Sequence, residues 1–413
     1  MQASLDHIPH PAPRRIALRV TAMAQHALRT GHPWLFDRSI LSTSKGGHTG
    51  DLAVIFDDHR RFLAIGLYDA GSPLRVRILQ HGEPATIDSA WFAGRIAWAA
   101  RIRRSLPGKG TTGYRVVHGE NDGLPGLVID RYDRTFVLKL YTLAWLPWLE
   151  QLVDAITSTL SPARLVLRLS RELLAKPDAL FGLSDGAALI GDQPQVPVAF
   201  TENGLRFEAD VVLGQKTGFF LDQRENRARV ETLARGKSTL NVFAYSGGFS
   251  LYAARGGAPA VISLDASAPA LAAAERNFEL NGMVQAVANC RHTVVAGDAF
   301  EQMEEFARAK RRFDLVIVDP PAFAKREAEV EAARRAYGRL TRLALQVMIE
   351  GGILVMASCS SRVTAEQFYA TVTRAAVAVD RPLREIARTG HALDHPIGFP
   401  EGAYLKCLFA IAP

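Results

Sequence analysis

Two short stretches carry residue types able to make and break bonds. Asp319-Pro-Pro-Ala-Phe323 sets a carboxylate at the end of an apolar run, 313–318, and follows it with two prolines that fix the backbone and bring no N–H of their own. A carboxylate held so rigidly at a strand's carboxyl end can share a proton with a ring nitrogen, with Phe323 near enough in sequence to stack on that ring; capping a turn is the structural alternative. Ser358-Cys-Ser360 follows a second apolar run, 353–357, and places a thiol among hydroxyls, a setting that suits a reactive sulfur. Its thiolate could add to an electron-poor carbon and later leave. The other two cysteines read differently: Cys290 precedes a strand without any motif and Cys407 lies within an apolar strand, so both are expected to pack. Three scattered cysteines form neither a disulfide framework nor a zinc site, and no metal is expected.

A second group of residues could hold a ligand beside that chemistry. Asn241-Val-Phe-Ala-Tyr-Ser-Gly-Gly-Phe249 stands where a strand gives way to a helix, so its glycines admit close approach of backbone and ligand while the helix N-terminus offers N–H groups. The three-glycine dinucleotide fingerprint is absent, which counts against NAD and for a ligand lacking a pyrophosphate. Asp265 ends the next strand, where a carboxylate can accept both hydroxyls of a ribose. Asp298, in Gly297-Asp-Ala-Phe300, follows the third strand and could accept from an adenine amino group, with Phe300 or a neighbour against the ring. Each acid alone could equally be a solvated cap; with Asp319 after them, three in this order point to a nucleoside-containing ligand.

Such residues need a scaffold that brings strand ends together. From about residue 193 the pattern alternates: strands at 239–244, 261–265, 293–296, 313–319 and 353–357 are separated by helical segments. This predicts an α/β fold with a mostly parallel sheet covered on both faces. Leu271, Ala274 and Phe278 share one helical face, as do Phe300, Met303 and Ala307. Thr364 with Gln367 makes a capping box for a late helix. The last strand, 404–412, has no helix after it and is expected to pair antiparallel at or near the sheet edge. Upstream, residues 15–80 form a small β-rich unit with strands at 53–56, 62–68 and 74–79, followed by a helix at 91–106. Strands at 114–118, 126–130, 136–141 and 164–169 with a helix at 146–160 make a compact α+β domain. The expected division is 15–85, 86–192 and 193–413.

The 413 residues, 48% hydrophobic and 22% charged, suit a globular protein of two or three domains. No stretch approaches the ~18 apolar residues of a membrane span, and residues 1–13 lack the apolar core of a signal peptide, so a cytoplasmic location and no membrane partner are expected. The formal charge of +7 favours a polyanion. Residues 89–119 contain no acid but hold Arg95, Arg101, Arg103, Arg104, Lys109 and Arg115, which could be an RNA-facing patch or a solvated helix face.

The ordered set of FAYSGGF, the Asp265 strand tip, GDAF and DPPAF resembles class I S-adenosylmethionine-dependent methyltransferases. With Gly31-His-Pro-Trp-Leu-Phe36, Gly119-Glu-Asn-Asp-Gly-Leu-Pro-Gly126, Lys216-Thr-Gly-Phe-Phe-Leu-Asp-Gln-Arg224, Ser358-Cys-Ser360 and Phe399-Pro-Glu-Gly402, the chain is similar to the RlmI-type family of large-subunit rRNA cytosine methyltransferases from about residue 15 to the end. The resemblance implies an N-terminal PUA domain, a small RNA-binding β-barrel, then a central α+β domain, then a Rossmann-like catalytic domain. It implies S-adenosylmethionine as cofactor and large-subunit rRNA as partner, and leaves a homodimer open. Asp222, Gln223 and Arg224 are then candidates to hold the cofactor's amino-acid end or order a lid over it. Arg224 could pair the cofactor's carboxylate or serve a structural salt bridge. Phe243, Tyr245 and Gly247, with Asp265, Asp298 and Asp319, are the remaining cofactor candidates.

For cytosine the implied chemistry is an adduct. Carbon 5 is a poor nucleophile until a thiolate has added at carbon 6, which casts Cys359 as nucleophile and Asp319 as the group stabilising the adduct at ring nitrogen 3. Many RNA cytosine methyltransferases carry a second cysteine after the proline of the aspartate motif; here Ala322 and Phe323 follow Pro320-Pro321, and the base that removes the last hydrogen is unassigned. Asp-Pro-Pro-Ala-Phe also resembles the motif by which amino-group methyltransferases hold an exocyclic nitrogen, a reaction that requires no cysteine. A non-catalytic RNA-binding assembly protein is the reading from another class.

Overall fold

The computed structural model describes residues 5–12 and 15–413; residues 1–4 and 13–14, part of the opening segment read above as lacking a signal peptide, lie outside the described residues. The chain divides into two compact units, one formed by residues 1–204, 209–221 and 394–399, the other by 205–208, 222–393 and 400–413.

The first unit holds two sheets. In a six-stranded sheet, Ile16–Val20 runs parallel to Leu52–Phe56 and antiparallel to Ile40–Thr43, and Phe62–Tyr68 joins Leu52–Phe56 to Leu74–His81. A five-stranded sheet contains Gly113–His118, Leu127–Tyr132, Thr135–Leu140, Arg164–Leu169 and Ala188–Ile190. One continuous apolar core runs from Leu52, Ile65 and Leu67 through Phe92 and Ile96 to Trp145, Trp148 and Leu152. The indole N–H groups reach carbonyls where the chain is otherwise dry, Trp145 to Pro125 at 2.8 Å and Trp148 to Gly50 at 2.7 Å, so both rings are buried without an orphan donor. The helix Ser89–Ile102, capped by Asp88, ends one turn before the sequence pattern suggests. The Arg103 N–H turns back to the Ala100 carbonyl, a tightened last turn.

Two members of the basic run turn inward to pair with acids. Arg103 is fully buried, and its guanidinium grips Asp122 with two bonds of 3.0 and 2.7 Å. Arg115 does the same to buried Asp130 at 2.8 and 2.9 Å. Buried Arg103 is therefore no part of an RNA-facing patch and half-buried Arg115 is engaged in its ion pair, whereas Arg101, Arg104 and Lys109 are exposed. A buried Arg–Asp pair of this geometry satisfies both partners and cannot also face a ligand.

The second unit carries the α/β fold expected from the alternating pattern. Its strands, labelled here β1 (Thr239–Val242), β2 (Ala260–Asp265), β3 (Arg291–Ala296), β4 (Phe313–Val318), β5 (Met348–Ser358), β6 (Arg384–Thr389) and β7 (Lys406–Ala412), lie in the order β3-β2-β1-β4-β5-β7-β6. The first five are parallel; β7 pairs antiparallel with both β5 and β6, so the final strand sits one place in from the edge that β6 forms. β6 was not legible in the sequence because Arg384, Glu385 and Arg388 break any apolar alternation. Beside the helices Arg224–Leu233 and Gln285–Ala288, the unit holds α1 (Gly248–Arg255), α2 (Ala268–Leu280), α3 (Ala299–Arg308), α4 (Val330–Gln346) and α5 (Ala365–Val377), and α5 opens on the Thr364–Gln367 capping box. Strands such as Leu315–Val318 are wholly buried, as a parallel sheet covered on both faces requires. Among the described residues no helix is long and apolar enough to cross a membrane.

Candidate active site

Register brings the chemistry-bearing residues to one edge. Val295, Leu264, Val242, Val318 and Met356 pair in a single row across the five parallel strands. The residue after each therefore lies at the same carboxyl edge, and those residues include Asp265, Phe243 and Asp319. Strand order reverses between β1 and β4, where parallel sheets open a crevice for ligands.

The turn after β1 is backbone under constraint. Phe243, Tyr245 and Gly247 all take positive φ, at 62°, 48° and 74°, a conformation costly for the two aromatic residues and seen mostly where function demands it. The Tyr245 N–H donates to Asp265 Oδ2 at 2.8 Å and the Ser267 N–H to Oδ1 at 2.9 Å, so the carboxylate at the tip of β2 is fixed while each oxygen keeps a further lone pair. Gly247 serves packing as well as approach: a Cβ there would stand 2.7 Å from the Cβ of Ala274 on α2. Ser246, between them, is buried and its Oγ has no hydrogen-bond partner among the described residues. An orphaned hydroxyl costs about 1–3 kcal/mol unless a ligand takes it up. Fixed acceptor, constrained turn and unmatched hydroxyl together fit a polar, nucleoside-containing cofactor.

The other cofactor candidates fall on either side. Asp298 is exposed, and its Oδ1 caps α3 by accepting from the N–H groups of Phe300 and Glu301 at 2.9 and 3.1 Å. Phe300 lies under the Arg339 guanidinium at 4.6 Å. Asp222, Gln223 and Arg224 are all buried just before and within the helix Arg224–Leu233. Asp222 Oδ2 accepts from the Tyr404 hydroxyl at 2.9 Å, Gln223 Oε1 accepts from Asn226, and Arg224 donates to Glu225 at 3.0 Å.

Cys359 and the aspartate motif meet. The sulfur is half-buried and its thiol donates to the Pro320 carbonyl at 3.8 Å, bringing together residues 39 positions apart. Burial pushes the Cys290 thiol up to about 11 and raises that of fully buried Cys407 further, so neither ionises near neutrality. Phe323 leans on Tyr337 at 5.2 Å, and the Tyr337 hydroxyl bonds Ser358 Oγ at 2.8 Å, anchoring the residue before the thiol. Among the described residues no group of three or more His, Cys, Asp or Glu side chains could hold a metal.

Residues 148–396 match the family of S-adenosylmethionine-dependent methyltransferases. The chain belongs to that family. Residues 18–81 match a PUA-like domain. The methyltransferase is 48% identical over 406 residues to a ribosomal RNA large subunit methyltransferase of Deinococcus radiodurans, covering 97% of this chain and 98% of the relative. It is 36% identical to ribosomal RNA large subunit methyltransferase I of Photobacterium profundum, covering 92% and 96%. A SAM-dependent methyltransferase structure from Streptococcus mutans shares the fold, with a TM-score of 0.80 at 23% identity over 96% of this chain and all of that one. S-adenosylmethionine is the cofactor, consistent with the orphaned Ser246 hydroxyl in the turn whose Tyr245 N–H binds Asp265.

Two residues of the site escaped the sequence reading. Ser246 stood inside the quoted glycine turn, where only burial reveals that its hydroxyl lacks a mate. Lys406 opens β7, register-paired with Ser358, and its buried ammonium donates to the carbonyls of Ser360 and Val363 at 2.5 and 2.7 Å, clamping the turn that carries Cys359. Burial lowers its pKa to about 8, against the opposing pull of Cys359. A lone lysine in an otherwise apolar strand was the available signal.

Proposed function

We propose that this methyltransferase acts on large-subunit ribosomal RNA in the cytoplasm and methylates carbon 5 of a cytosine through a Cys359 adduct, with residues 15–85 and 86–192 as the recruiting modules and 193–413 as the catalytic one. The names of its relatives, the PUA-like match and the net charge of +7 support the substrate class. One observation carries the choice of atom: a half-buried thiol lies against the backbone of Asp319-Pro-Pro, at the carboxyl edge that the cofactor turn also borders.

When bound, S-adenosylmethionine supplies an electrophilic methyl group on a sulfonium. Asp265 and Ser246 would hold its nucleoside portion, with the Asp222–Arg224 segment toward its amino-acid end. The chain's own part is to make carbon 5 reactive. The Cys359 thiolate adds at carbon 6, and the displaced electron pair is stabilised toward ring nitrogen 3, where Asp319 holds the proton. Once carbon 5 carries the methyl group, loss of its hydrogen as a proton expels the thiolate and restores the ring. A target base within a duplex must first leave the stack.

Amino-group methylation would need the proline carbonyl to receive the exocyclic nitrogen and Phe323 to stack on the base. Here the Pro320 carbonyl faces the Cys359 thiol and Phe323 rests on Tyr337, which favours the cysteine route. The test is transfer of labelled methyl from the cofactor to bulk rRNA. Cys359→Ala is expected to abolish the product; full turnover in that variant would mean an exocyclic amino acceptor, and no transfer by the wild type would reduce the protein to an RNA-binding module.

A further inference from the structure

The first unit contains a cavity of about 300 Å³ that the catalytic reading does not use, walled by the end of the strand Leu74–His81, the helix Ser89–Ile102 and two of the motif segments, Gly31-His-Pro-Trp and Gly119-Glu-Asn-Asp-Gly. Its volume lies at the lower end for ligand pockets, enough for one ring system and too little for a cofactor of nucleotide-dimer size. Gly31, Gly123 and Gly398 line it, so backbone borders the space at three places without side chains.

Its polar groups are held in place and mixed in sign. Arg95 is fixed by Gln80 Oε1 at 2.6 Å and lies over the Trp91 ring at 4.9 Å. Glu120 Oε1 accepts from the Trp34 indole at 3.0 Å and from the Gly126 N–H at 3.2 Å, which orients its carboxylate. Asn121 Oδ1 accepts from the Gly398 N–H at 2.6 Å, which leaves the amide's N–H₂ as its donor end. Phe399 supplies an aromatic wall, backed edge-on by Trp34 at 5.0 Å. His81 is the odd member. Its Nδ1 is buried without a partner among the described residues, and the Leu28 backbone favours a proton on the other ring nitrogen, Nε2, which leaves Nδ1 an acceptor. Burial, with His32 and Arg95 nearby, holds this imidazole neutral by lowering its pKa.

A flat ligand carrying both N–H donors and ring or carbonyl acceptors, presented by a polyanion, matches this set. We propose that this cavity receives one unpaired nucleobase of the RNA substrate, read by His81 Nδ1 and the Glu120 carboxylate as acceptors and by Arg95 and the Asn121 amide as donors. Bases splayed out of single-stranded RNA are recognised in this way, on an aromatic or guanidinium surface with hydrogen bonds to their edges. The inference needs only that the substrate is RNA and is independent of the atom methylated.

The decisive variant is Glu120→Gln, which retains the Oε1 that Trp34 and Gly126 use and removes only the charge. In a protein that attracts phosphates through its field, neutralising an acid should tighten binding; a base site requires the opposite. Equilibrium binding of the full chain to bulk large-subunit rRNA is expected to weaken about tenfold in Glu120→Gln and in His81→Phe, with the slope of log K against log salt unchanged because no phosphate contact is lost. In turnover, KM for rRNA should rise while kcat stays put. Thermal melting identifies a variant that is merely unfolded, and the other then decides. Tighter or equal rRNA binding by folded Glu120→Gln overturns the proposal. So does saturable binding of free GMP or CMP that His81→Phe abolishes while rRNA affinity is untouched, since the cavity would then serve a free nucleotide.

Discussion

Replacing Arg103 with alanine tests whether this guanidinium is an element of the fold or an RNA contact. The side chain is wholly buried and bonds both oxygens of Asp122, at 3.0 and 2.7 Å, as well as the carbonyls of Ala99, Arg115 and Asp394 at 2.9, 3.1 and 2.9 Å. Its removal strands the Asp122 carboxylate, itself 1% exposed, which costs roughly 3–5 kcal/mol, and frees carbonyls worth about 1 kcal/mol each where water cannot replace the donor. At a urea dependence of about 1–3 kcal/mol/M, the midpoint should fall by at least about 1 M. All five tryptophans, Trp34, Trp91, Trp98, Trp145 and Trp148, belong to this unit, so intrinsic fluorescence reports its unfolding. The exposed neighbour Arg101→Ala should leave the stability within about 0.5 kcal/mol of wild type. An unshifted midpoint for Arg103→Ala, with rRNA affinity lowered instead, would refute the reasoning and return Arg103 to the surface.

Three further outcomes follow from the second unit. Gly247→Ala forces a side chain into positive φ and against Ala274, so it should cost about 1–2 kcal/mol in backbone strain plus about 1–3 for crowding and weaken cofactor binding by calorimetry; unchanged affinity and melting would contradict the packing described. Asp298→Asn retains a cap for α3 while Asp298→Ala loses about 0.5–2 kcal/mol, so a drop in cofactor affinity in the asparagine variant would separate a cofactor contact from capping, and equal affinity would leave Asp298 a cap alone. Lys406 is depressed to about 8 in the folded chain, below the ordinary lysine value of 10.5, so between these values the unfolded state binds more protons. Wild-type stability relative to Lys406→Met should therefore rise as pH goes from about 8 toward 10, and chemical denaturation showing a fall would reverse the sign assigned to its burial.

Much of the second unit was legible because a parallel sheet buried on both faces writes itself as apolar runs separated by helical periods. The strands 261–265 and 313–319 were placed to within a residue at each end, and the Thr364 capping box is as expected, since both signals are local. The ordered acids and the glycine turn likewise pointed to one sheet edge, and Asp265, Phe243 and Asp319 do follow a single row across the parallel strands. Tertiary structure decided what the charges and the sulfur do. Arg103 and Arg101 look alike in a basic run, yet one faces Asp122 inside and the other water, because helix phase and the early helix end set direction, not composition. Lys406 reads as a surface lysine until β7 is registered against β5, which buries its ammonium on the carbonyls of Ser360 and Val363. Cys359 and Pro320 are 39 positions apart and adjoin only because β4 and β5 pair in parallel with Val318 opposite Met356, a long-range register that no local pattern encodes.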